Sequence, residues 1–372
     1  MAGEDQGVKS GMKILIITNH SYMFWRFRSE LTAELLKRAE VVISTPFAGH
    51  EKDLEKMGCR CIETDMERRS LDLRKEISLY RFYKNLLRKE KPDLVITYSI
   101  KPNIYGGFAC LALGIPYYVN VQGLGSVFQK EPYATGASLL YSAAIRGARA
   151  VFFENQGNAD VFVQRGIVPK RKQVVLNGAG INLSIYEEQE YPSEENGIRF
   201  LFLGRIMREK GITEMLDAGE RLKKELGNRV GIDLVGFFED DYKDRIESLV
   251  KDNVVRFHGF CSDPRPYYAM SHCVVLPSYH EGMSNVLLEG AASGRALITS
   301  NIPGCREAVT EWESGYLVPP RDSEALYRAM KRFVLLTPEE RRQMGKMSRK
   351  KMEEEFDKQR VVEKTLAALR LE

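Results

Sequence analysis

Two glutamates bracket a polar turn and a predicted helix in the second half of the chain. Glu281 lies in the turn YHEGMS, and Glu289 follows inside the helix, with seven residues between the two. The turn comes directly after the apolar run CVVLPS, which is typical of a buried parallel strand. A carboxylate close to a bound phosphate is unfavourable unless hydrogen-bond donors surround it. These residues therefore favour a ligand that carries both phosphate and several hydroxyl groups.

The start of this helix could bind the phosphate through its backbone. Ser284 or Asn285 is a suitable N-cap, and the amides of residues 283–286 point outward at a helix start, where anions bind. Glu289 could accept hydrogen bonds from ribose hydroxyls, as an acidic residue does in dinucleotide-binding folds. Glu281 could accept from the hydroxyls of a sugar. A plain helix cap with a solvated glutamate remains an open interpretation of the same residues.

Two more turns in this half of the chain follow predicted strands. In LGRIMREKG, Arg205 comes after the strand and Lys210 comes just before a helix, so two cations near a helix start would suit a diphosphate. They could equally be surface charges at the end of a strand. In RFHGF, backbone groups at the end of the strand could contact the edge of a base.

The elements that must position these residues alternate between strand and helix, which predicts an α/β fold with doubly wound parallel sheets. The stretch 186–197 has no apolar periodicity and is rich in acidic residues, Pro, Ser and Gly, which is typical of a linker. We therefore predict two Rossmann-like domains, residues 12–190 and 191–352, that face a central cleft. Residues 353–372 are predicted to be helical. Ligands are expected outside the carboxyl ends of the strands.

The composition is that of a globular protein, with 44% hydrophobic and 28% charged residues in a chain of 372. No apolar run reaches the ~20 residues that a membrane-spanning helix needs, and no signal peptide is expected; residues 1–11 are interpreted as a leader. The six cysteines are scattered. Cys59 and Cys61 are close but lack a second ligand pair, so neither a metal nor a cofactor is expected. The cysteine usage favours a reducing compartment, the cytoplasm.

The formal net charge is only +4, which argues against a dedicated nucleic-acid-binding protein. The charge is uneven, because residues 1–190 contain 26 Lys and Arg against 21 Asp and Glu, a net of +5 that leaves −1 for the rest. Residues 60–91 alone contain ten basic and six acidic side chains. This segment is either a solvated helix face or a surface that meets the phosphates of a lipid diphosphate or of membrane headgroups.

Together, GRIMREKG and PSYHEGMSNVLLEGAASGRALITSNIPGCREAV resemble the donor domain of the retaining glycosyltransferases of family 4, which have the GT-B fold. The resemblance covers most of residues 199–320, and Glu281 and Glu289 match the family's Glu-x7-Glu motif. It implies a UDP-sugar donor without a metal at the diphosphate, and a last helix, ending at Leu369, that packs on the first domain. It also implies that Arg205, Lys210 and Glu281 are catalytic. The implied donor-binding residues are Gly204, Arg205, Lys210, Phe260, Glu281, Gly282, Asn285, Val286 and Glu289.

The first domain resembles the acceptor half of a bacterial subgroup, the N-acetylgalactosaminyltransferases that act on undecaprenyl-diphosphate-bacillosamine. The motifs that carry this resemblance are NHSYMFWRFR, YSIKPNIYGG and VQGLGSVF. The implied acceptor-binding residues are Asn19, His20, Lys101, Gln122 and Gly123. Gln122 stands where other members have a histidine or an acid, and a glutamine cannot serve as a general base. Lys101 would suit an acceptor phosphate, or be an ordinary surface lysine.

The resemblance therefore implies a retaining hexosyltransferase. It would move a hexose or N-acetylhexosamine, from a donor similar to UDP-GalNAc, to an undecaprenyl-diphosphate-linked sugar in surface polysaccharide or glycan assembly. The basic segment and the apolar helix ASLLYSAAI (137–145) favour peripheral contact with the inner face of the cell membrane. One alternative is a UDP-sugar 2-epimerase of related fold, which would need acid–base side chains for which His20 and His50 are the usable histidines. The other is a regulatory protein that binds nucleotide sugars.

Overall fold

The computed structural model of the chain describes residues 11–66, 72–125, 128, 131 and 133–371. The chain folds into two compact units. The first consists of Met1–Ala179 and Gln359–Glu372, and the second of Gly180–Lys358. Part of the basic segment predicted over residues 60–91, namely 67–71, lies outside the described residues.

The first unit contains a seven-stranded parallel sheet in the order β3-β2-β1-β4-β5-β6-β7. Its strands are β1 Lys13–Ile17, β2 Glu40–Thr45, β3 Arg60–Glu63, β4 Leu94–Tyr98, β5 Tyr117–Val121, β6 Val151–Phe153 and β7 Gln173–Val175. Its connecting helices are α1 Ser21–Leu36, α2 Glu51–Lys56, α3 Leu73–Glu90, α4 Gly107–Leu113, α5 Tyr133–Ile145 and α6 Gln156–Gln164.

Both faces of this sheet are buried, as expected when helices cover a parallel sheet on either side. Along β1, Leu15 and Ile17 belong to one apolar core, whereas Ile14 and Ile16 belong to another. All four side chains are at most 1% exposed. This alternation explains why the strand is continuously apolar, because a strand solvated on one face would alternate with polar residues.

The second unit contains a six-stranded parallel sheet in the order β10-β9-β8-β11-β12-β13. Its strands are β8 Ile198–Leu203, β9 Val230–Val235, β10 Val255–Phe257, β11 Cys273–Leu276, β12 Ala296–Ser300 and β13 Gly315–Val318. Its helices are α7 Ile212–Leu226, α8 Lys243–Lys251, α9 Arg265–Met270, α10 Asn285–Ala292, α11 Ser323–Leu335 and α12 Pro338–Lys351. The two doubly wound sheets confirm the predicted α/β class.

The last helix, α13 Lys358–Leu369, returns to the first unit. Val361, Val362 and Leu369 join the core that contains Ile14. The hydroxyl of Tyr118 in β5 donates to the carbonyl oxygen of Leu369 at 2.9 Å. A buried hydroxyl that found no acceptor would destabilise the core, so this bond fixes the end of the helix against the sheet.

Two local elements are short. The segment CREAV forms only a single 3₁₀ turn, Arg306–Ala308. The strand β7 has only three residues, which are partly buried, so its apolar run is too short to indicate a buried strand. Within the described parts of the chain, no helix combines the length and apolar character needed to cross a bilayer.

Candidate functional site

In each sheet, several of the candidate residues follow strands that flank the point where the strand order reverses. This switch point lies between β8 and β11 in the second unit, and between β1 and β4 in the first. Connections leave such neighbouring strands in opposite directions, so a crevice opens outside their carboxyl ends and binds ligands in doubly wound folds.

Lys210 and Glu281 meet at the switch point of the second unit. The Nζ atom of Lys210 lies 2.5 Å from Oε1 of Glu281, and the hydroxyl of Ser278 donates to the same oxygen at 2.8 Å. Lys210 ends a 3₁₀ turn after β8, whereas Ser278 and Glu281 follow β11. Both side chains of the ion pair are only partly exposed, 21% for Lys210 and 12% for Glu281, so the pair is better shielded from water than a typical surface pair.

A glycine allows the two turns to approach this closely. Gly211, directly after Lys210, has a φ of 73°, in the left-handed region that favours glycine. A Cβ atom at this position would collide with the backbone carbonyl of Pro277. The absence of a side chain therefore lets the Lys210 turn pack against the end of β11.

Arg205 lies on the other side of the same strand end. It follows Gly204, and its Nη1 atom contacts Oε2 of Glu239, in the loop after β9. The Arg205 side chain is 42% exposed and that of Glu239 is 23% exposed. Arg205 and Lys210, two of the three cations in the segment between β8 and α7, thus each form an ion pair with a carboxylate from a neighbouring strand end.

The helix after β11 is capped as predicted. Ser284 precedes α10, and its hydroxyl accepts from the amide of Leu287. Its own amide donates to the carbonyl of Gly304 at 2.8 Å, which binds the turn to the loop after β12. Glu289 lies in α10 and is 4% exposed, and its Oε2 atom accepts from the hydroxyl of Tyr268 at 2.9 Å. The structure gives separate hydrogen-bond partners to Glu281 and Glu289.

Tyr279, the first residue of the turn YHEGMS, ties this turn to two other segments. Its hydroxyl donates to Oε1 of the buried Glu214 at 2.7 Å, and the Arg321 guanidinium lies 4.7 Å from its ring centre. Burial and the hydrogen bond with Glu214 raise the pKa of Tyr279 to about 12, so the phenol stays protonated and keeps donating at neutral pH.

Two exposed phenylalanines follow β9 and β10. Phe260 is 68% exposed and Phe237 is 48% exposed, and their ring centres lie 6.2 Å apart. Phe260 was predicted as a donor-binding residue through its backbone. The structure adds a ring surface, since exposed aromatic faces bind flat ligand groups by stacking.

At the switch point of the first unit, Ser99 joins two of the predicted acceptor residues. Its Oγ atom lies 2.9 Å from Oδ1 of Asn19 and 2.9 Å from Oε1 of Gln122. These three residues follow β1, β4 and β5. Ser99 has a φ of 76°, a conformation that is strained for a residue with a Cβ atom. One hydroxyl proton cannot serve both oxygens, so one of the two amide groups must present its NH2 to Ser99.

The other predicted acceptor residues lie around this cluster in the first unit. The Nζ atom of Lys101 is 2.5 Å from Oε1 of Glu76, a buried residue of α3. His20 precedes α1, and its ring centre is 6.2 Å from that of Tyr22. Gly123 follows Gln122 after β5. Lys101 is therefore already neutralised by a carboxylate, a contact that the sequence did not predict.

The comparison with known proteins assigns both units to related families. Residues 13–155 match the family model described as "Glycosyl transferase 4-like", and residues 186–351 match the model "Glycosyl transferases group 1". Together these two ranges cover both switch points. The chain belongs to the group 1 and 4-like glycosyltransferases.

Several relatives of this glycosyltransferase match over most of its length. It is 23% identical over 333 residues to the Campylobacter jejuni N,N'-diacetylbacillosaminyl-diphospho-undecaprenol α-1,3-N-acetylgalactosaminyltransferase, covering 85% of this chain and 87% of that protein. It is 26% identical to the Escherichia coli UDP-Gal:α-D-GlcNAc-diphosphoundecaprenol α-1,3-galactosyltransferase, covering 70% of each. The fold matches Anabaena Alr3699/HepE, crystallised with UDP, with a TM-score of 0.79, 17% identity, and coverage of 96% and 99%. These neighbours confirm the GT-B fold.

The sequence did not point to several residues of the glycosyltransferase's two candidate sites, among them Ser99, Glu239, Ser278 and Tyr268. The first three are common polar residues in turns, whereas Tyr268 is buried in helix α9. Each belongs to a site only because a different strand end or helix lies beside it. Ser99 directly follows β4 and Ser278 lies two residues after β11, and this position after a buried strand is the one signal that could have found them.

Proposed function

We propose that this glycosyltransferase is a retaining hexosyltransferase. It transfers a hexose or N-acetylhexosamine from a UDP-sugar, with a donor similar to UDP-GalNAc favoured, to an undecaprenyl-diphosphate-linked sugar in polysaccharide or glycan assembly. The observation that carries this proposal is the arrangement of Arg205, Lys210 and Glu281 around one switch point. The names of the Campylobacter jejuni and Escherichia coli relatives support the donor and acceptor classes.

On the donor side, Arg205 and Lys210 bind the diphosphate. Both follow β8, and Lys210 lies one residue before the glycine that precedes α7, so they combine fixed charge with backbone amides. When the bond between the sugar and UDP breaks, negative charge grows on the departing phosphate. Cations already held in place stabilise that charge without rearrangement, which lowers the barrier. The same charges do the work that a bound metal does in other transferases.

The two carboxylates bind the sugar groups of the donor. Glu281 accepts from hydroxyls of the transferred sugar, and Glu289 accepts from the ribose, with Tyr268 holding the Glu289 carboxylate in place. The amides of Gly282, Asn285 and Val286 contribute hydrogen bonds at the start of α10. Phe260 lines the side on which the base lies. Neither glutamate is assigned as a nucleophile, because both carboxylates are assigned to accept hydrogen bonds from hydroxyls of the donor, Glu281 from the transferred sugar and Glu289 from the ribose.

On the acceptor side, Asn19, Ser99 and Gln122 bind hydroxyls of the acceptor sugar. None of these three side chains can take up a proton at neutral pH, so no general base is assigned among them. The departing β-phosphate therefore accepts the proton of the attacking hydroxyl, on the face of the sugar that UDP leaves. This sequence of events retains the anomeric configuration. Trapping a covalent glycosyl-enzyme, or finding an inverted product anomer, would contradict it.

The first unit meets the membrane surface that holds the lipid acceptor. Helix α3 exposes Arg74 and Arg81 together with Leu73 (72%) and Ile77 (43%), a combination suited to anionic headgroups. Helix α5 exposes Leu139 at 69% and Leu140 at 47%. The protein should sediment with anionic vesicles at low salt and release at high salt. Failure to bind them, while a water-soluble acceptor is still used, would refute the membrane contact.

The central experiment is a panel of UDP-sugars incubated with the purified protein and an undecaprenyl-diphosphate-linked sugar. We expect UDP release only when donor and acceptor are both present, with transfer of the sugar to the lipid-linked product. Interconversion of the UDP-sugar without acceptor would indicate an epimerase, and binding without turnover a regulatory protein.

Site variants test the placement of the donor. Lys210→Ala and Glu281→Ala should each lower turnover about 100-fold or more, in the range of removing a group that stabilises transition-state charge. Lys243→Ala, which removes an exposed cation of α8, is the matched control and should retain turnover. Near-normal rates in both site variants would refute the placement.

A further inference from the structure

The two cations assigned to the donor diphosphate are both paired with carboxylates in this structure. Lys210 contacts Glu281, and Arg205 contacts Glu239. The carboxylates come from opposite sides of β8, one after β11 and one after β9. Sequence similarity assigns a role to Glu281 but none to Glu239. The inference below rests on the proposed function, because it requires the diphosphate to lie between Arg205 and Lys210.

A diphosphate and these carboxylates compete for the same N–H donors. Lys210 has three N–H groups on one small charged centre, and the contact of Arg205 with Glu239 uses its Nη1 atom. A phosphate oxygen that approaches these nitrogen atoms also approaches the carboxylates, which repel it. Binding is more favourable if each carboxylate turns away as the phosphate arrives. Glu239 is 23% exposed, so water can solvate its carboxylate once it has moved.

We propose that Glu239 and Glu281 are exchangeable counter-ions of the donor site, displaced by the diphosphate. The two carboxylates then have different fates. Glu239 turns to solvent, so in this exchange its carboxylate weakens donor and product binding. Glu281 leaves Lys210 and accepts from the hydroxyls of the transferred sugar, which couples recognition of the diphosphate to recognition of the sugar. Glu239 thus sets how readily UDP leaves after transfer.

A different role for Glu239 makes the opposite prediction. If its carboxylate holds Arg205 in the conformation that binds phosphate, it is a positioning residue, and its removal must weaken UDP binding. If it is displaced, its removal must strengthen UDP binding. The substitution Glu239→Gln separates the two, because the amide keeps the size and one acceptor oxygen but loses the charge.

The measurement is the Kd for UDP by isothermal titration calorimetry on the full-length protein. Glu239→Gln should bind UDP about three- to tenfold more tightly, the range expected for removing one partly exposed competing charge. Glu324→Gln is the matched control, because it neutralises the partner of Arg221 in an ion pair between α7 and α11. The control should stay within about twofold of the wild-type protein. Unchanged or weaker UDP binding by Glu239→Gln would overturn the proposal.

A double-mutant cycle with Arg205→Ala identifies the origin of the gain. Arg205→Ala alone should weaken UDP binding, and adding Glu239→Gln to it should then give little improvement, since the competition requires the arginine. If Glu239→Gln still increases the affinity for UDP by the full factor when Arg205 is absent, Glu239 acts only through its general negative charge. That result would overturn the proposal that UDP displaces Glu239 from Arg205. If neither Arg205→Ala nor Lys210→Ala changes the Kd for UDP, the diphosphate placement itself is wrong, and the proposed function fails first.

Glu281 is tested by comparing UDP with UDP-N-acetylgalactosamine and UDP-galactose. Glu281→Gln should increase the affinity for UDP, because Lys210 no longer pairs with a carboxylate. It should increase the affinity for the two UDP-sugars less, or lower it, because the sugar hydroxyls lose the carboxylate that accepts their hydrogen bonds. Glu239→Gln should shift UDP and the UDP-sugars by equal factors. Equal shifts in both variants would show that Glu281 does not contact the sugar, and would refute the coupling.

Discussion

His272 should make the second unit sensitive to mild acid. It is fully buried at the amino end of β11, where its Nδ1 atom accepts from the backbone amide of Arg199 at 3.0 Å. The neutral ring is therefore required, with its proton on Nε2. Burial is the main reason that the pKa of His272 falls from 6.5 to about 4. The nearby Arg341, Arg295 and Arg199 also oppose a positive charge on the ring, whereas Glu194 favours it but does not compensate.

The sign and size of the pH dependence of stability follow from the difference between the pKa of His272 in the unfolded and in the folded protein. Because the folded protein binds the proton less well than the unfolded chain, the stability due to neutral His272 is complete above pH 6.5 and declines as the pH falls toward 4. The total loss is about 3 kcal/mol, and about 2 kcal/mol of it falls between pH 7.5 and pH 5. His272→Asn keeps an acceptor for the Arg199 amide but cannot titrate in this range.

The assay is urea denaturation of the wild-type protein and of His272→Asn at pH 7.5 and pH 5, followed by circular dichroism. The asparagine variant should be less stable at pH 7.5, because it leaves a small cavity, but should lose about 2 kcal/mol less on acidification. The carboxylates that form ion pairs titrate in both proteins. Their contributions cancel when the loss of stability of the variant is subtracted from that of the wild-type protein. Equal losses in the two proteins would refute the assignment of acid sensitivity to His272.

Three further substitutions test contacts described above. Asp233→Ala should destabilise the second unit by about 3–5 kcal/mol in urea denaturation, because buried Asp233 (0% exposed) is the partner of Arg199; a loss below 1 kcal/mol would contradict this. Gly211→Ala should lower both the melting temperature and the affinity for UDP, whereas Gly227→Ala, with a positive φ but open space around it, should affect stability alone; equal effects on UDP would argue against close packing as the cause. Ser99→Gly should not lower the melting temperature, because glycine relieves the positive φ, but should raise KM for the acceptor while leaving KM for the donor unchanged; an unchanged acceptor KM would remove Ser99 from the site.

The fold could be predicted from sequence because its signals are local. A buried parallel strand is continuously apolar whatever lies beside it, so β1, β4 and β11 stand out in the chain. The edge strand β7 lacks this signal.

The division into units depends on contacts rather than on composition. The acidic stretch 186–197 belongs to the second unit, where Arg295 donates to the carbonyls of Gln189 at 3.3 Å and Glu190 at 2.8 Å.

The candidate donor site was only partly predictable, for a physical reason. Arg205, Lys210 and Glu281 lie in turns that are more polar than is usual for a turn that only connects a strand to a helix. Their residue types therefore indicated a binding site. Their ion pairs gave no such indication, because a partner such as Glu239 is 34 residues from Arg205 in sequence and meets it only through the pairing of β8 with β9. Sequence could therefore suggest which groups are candidates to bind phosphate, but not which carboxylates pair with them.

The return of α13 to the first unit has a consequence for engineering the enzyme. The chain passes between the units twice, at residues 179–180 and again at 358–359. A chimera that exchanges the first unit, which is the proposed acceptor unit, therefore needs two junctions, not one. If residues 359–372 stay with the second unit's parent, Val361, Val362 and Leu369 must fit a core that did not evolve with them. Exchanging both segments together keeps each core intact.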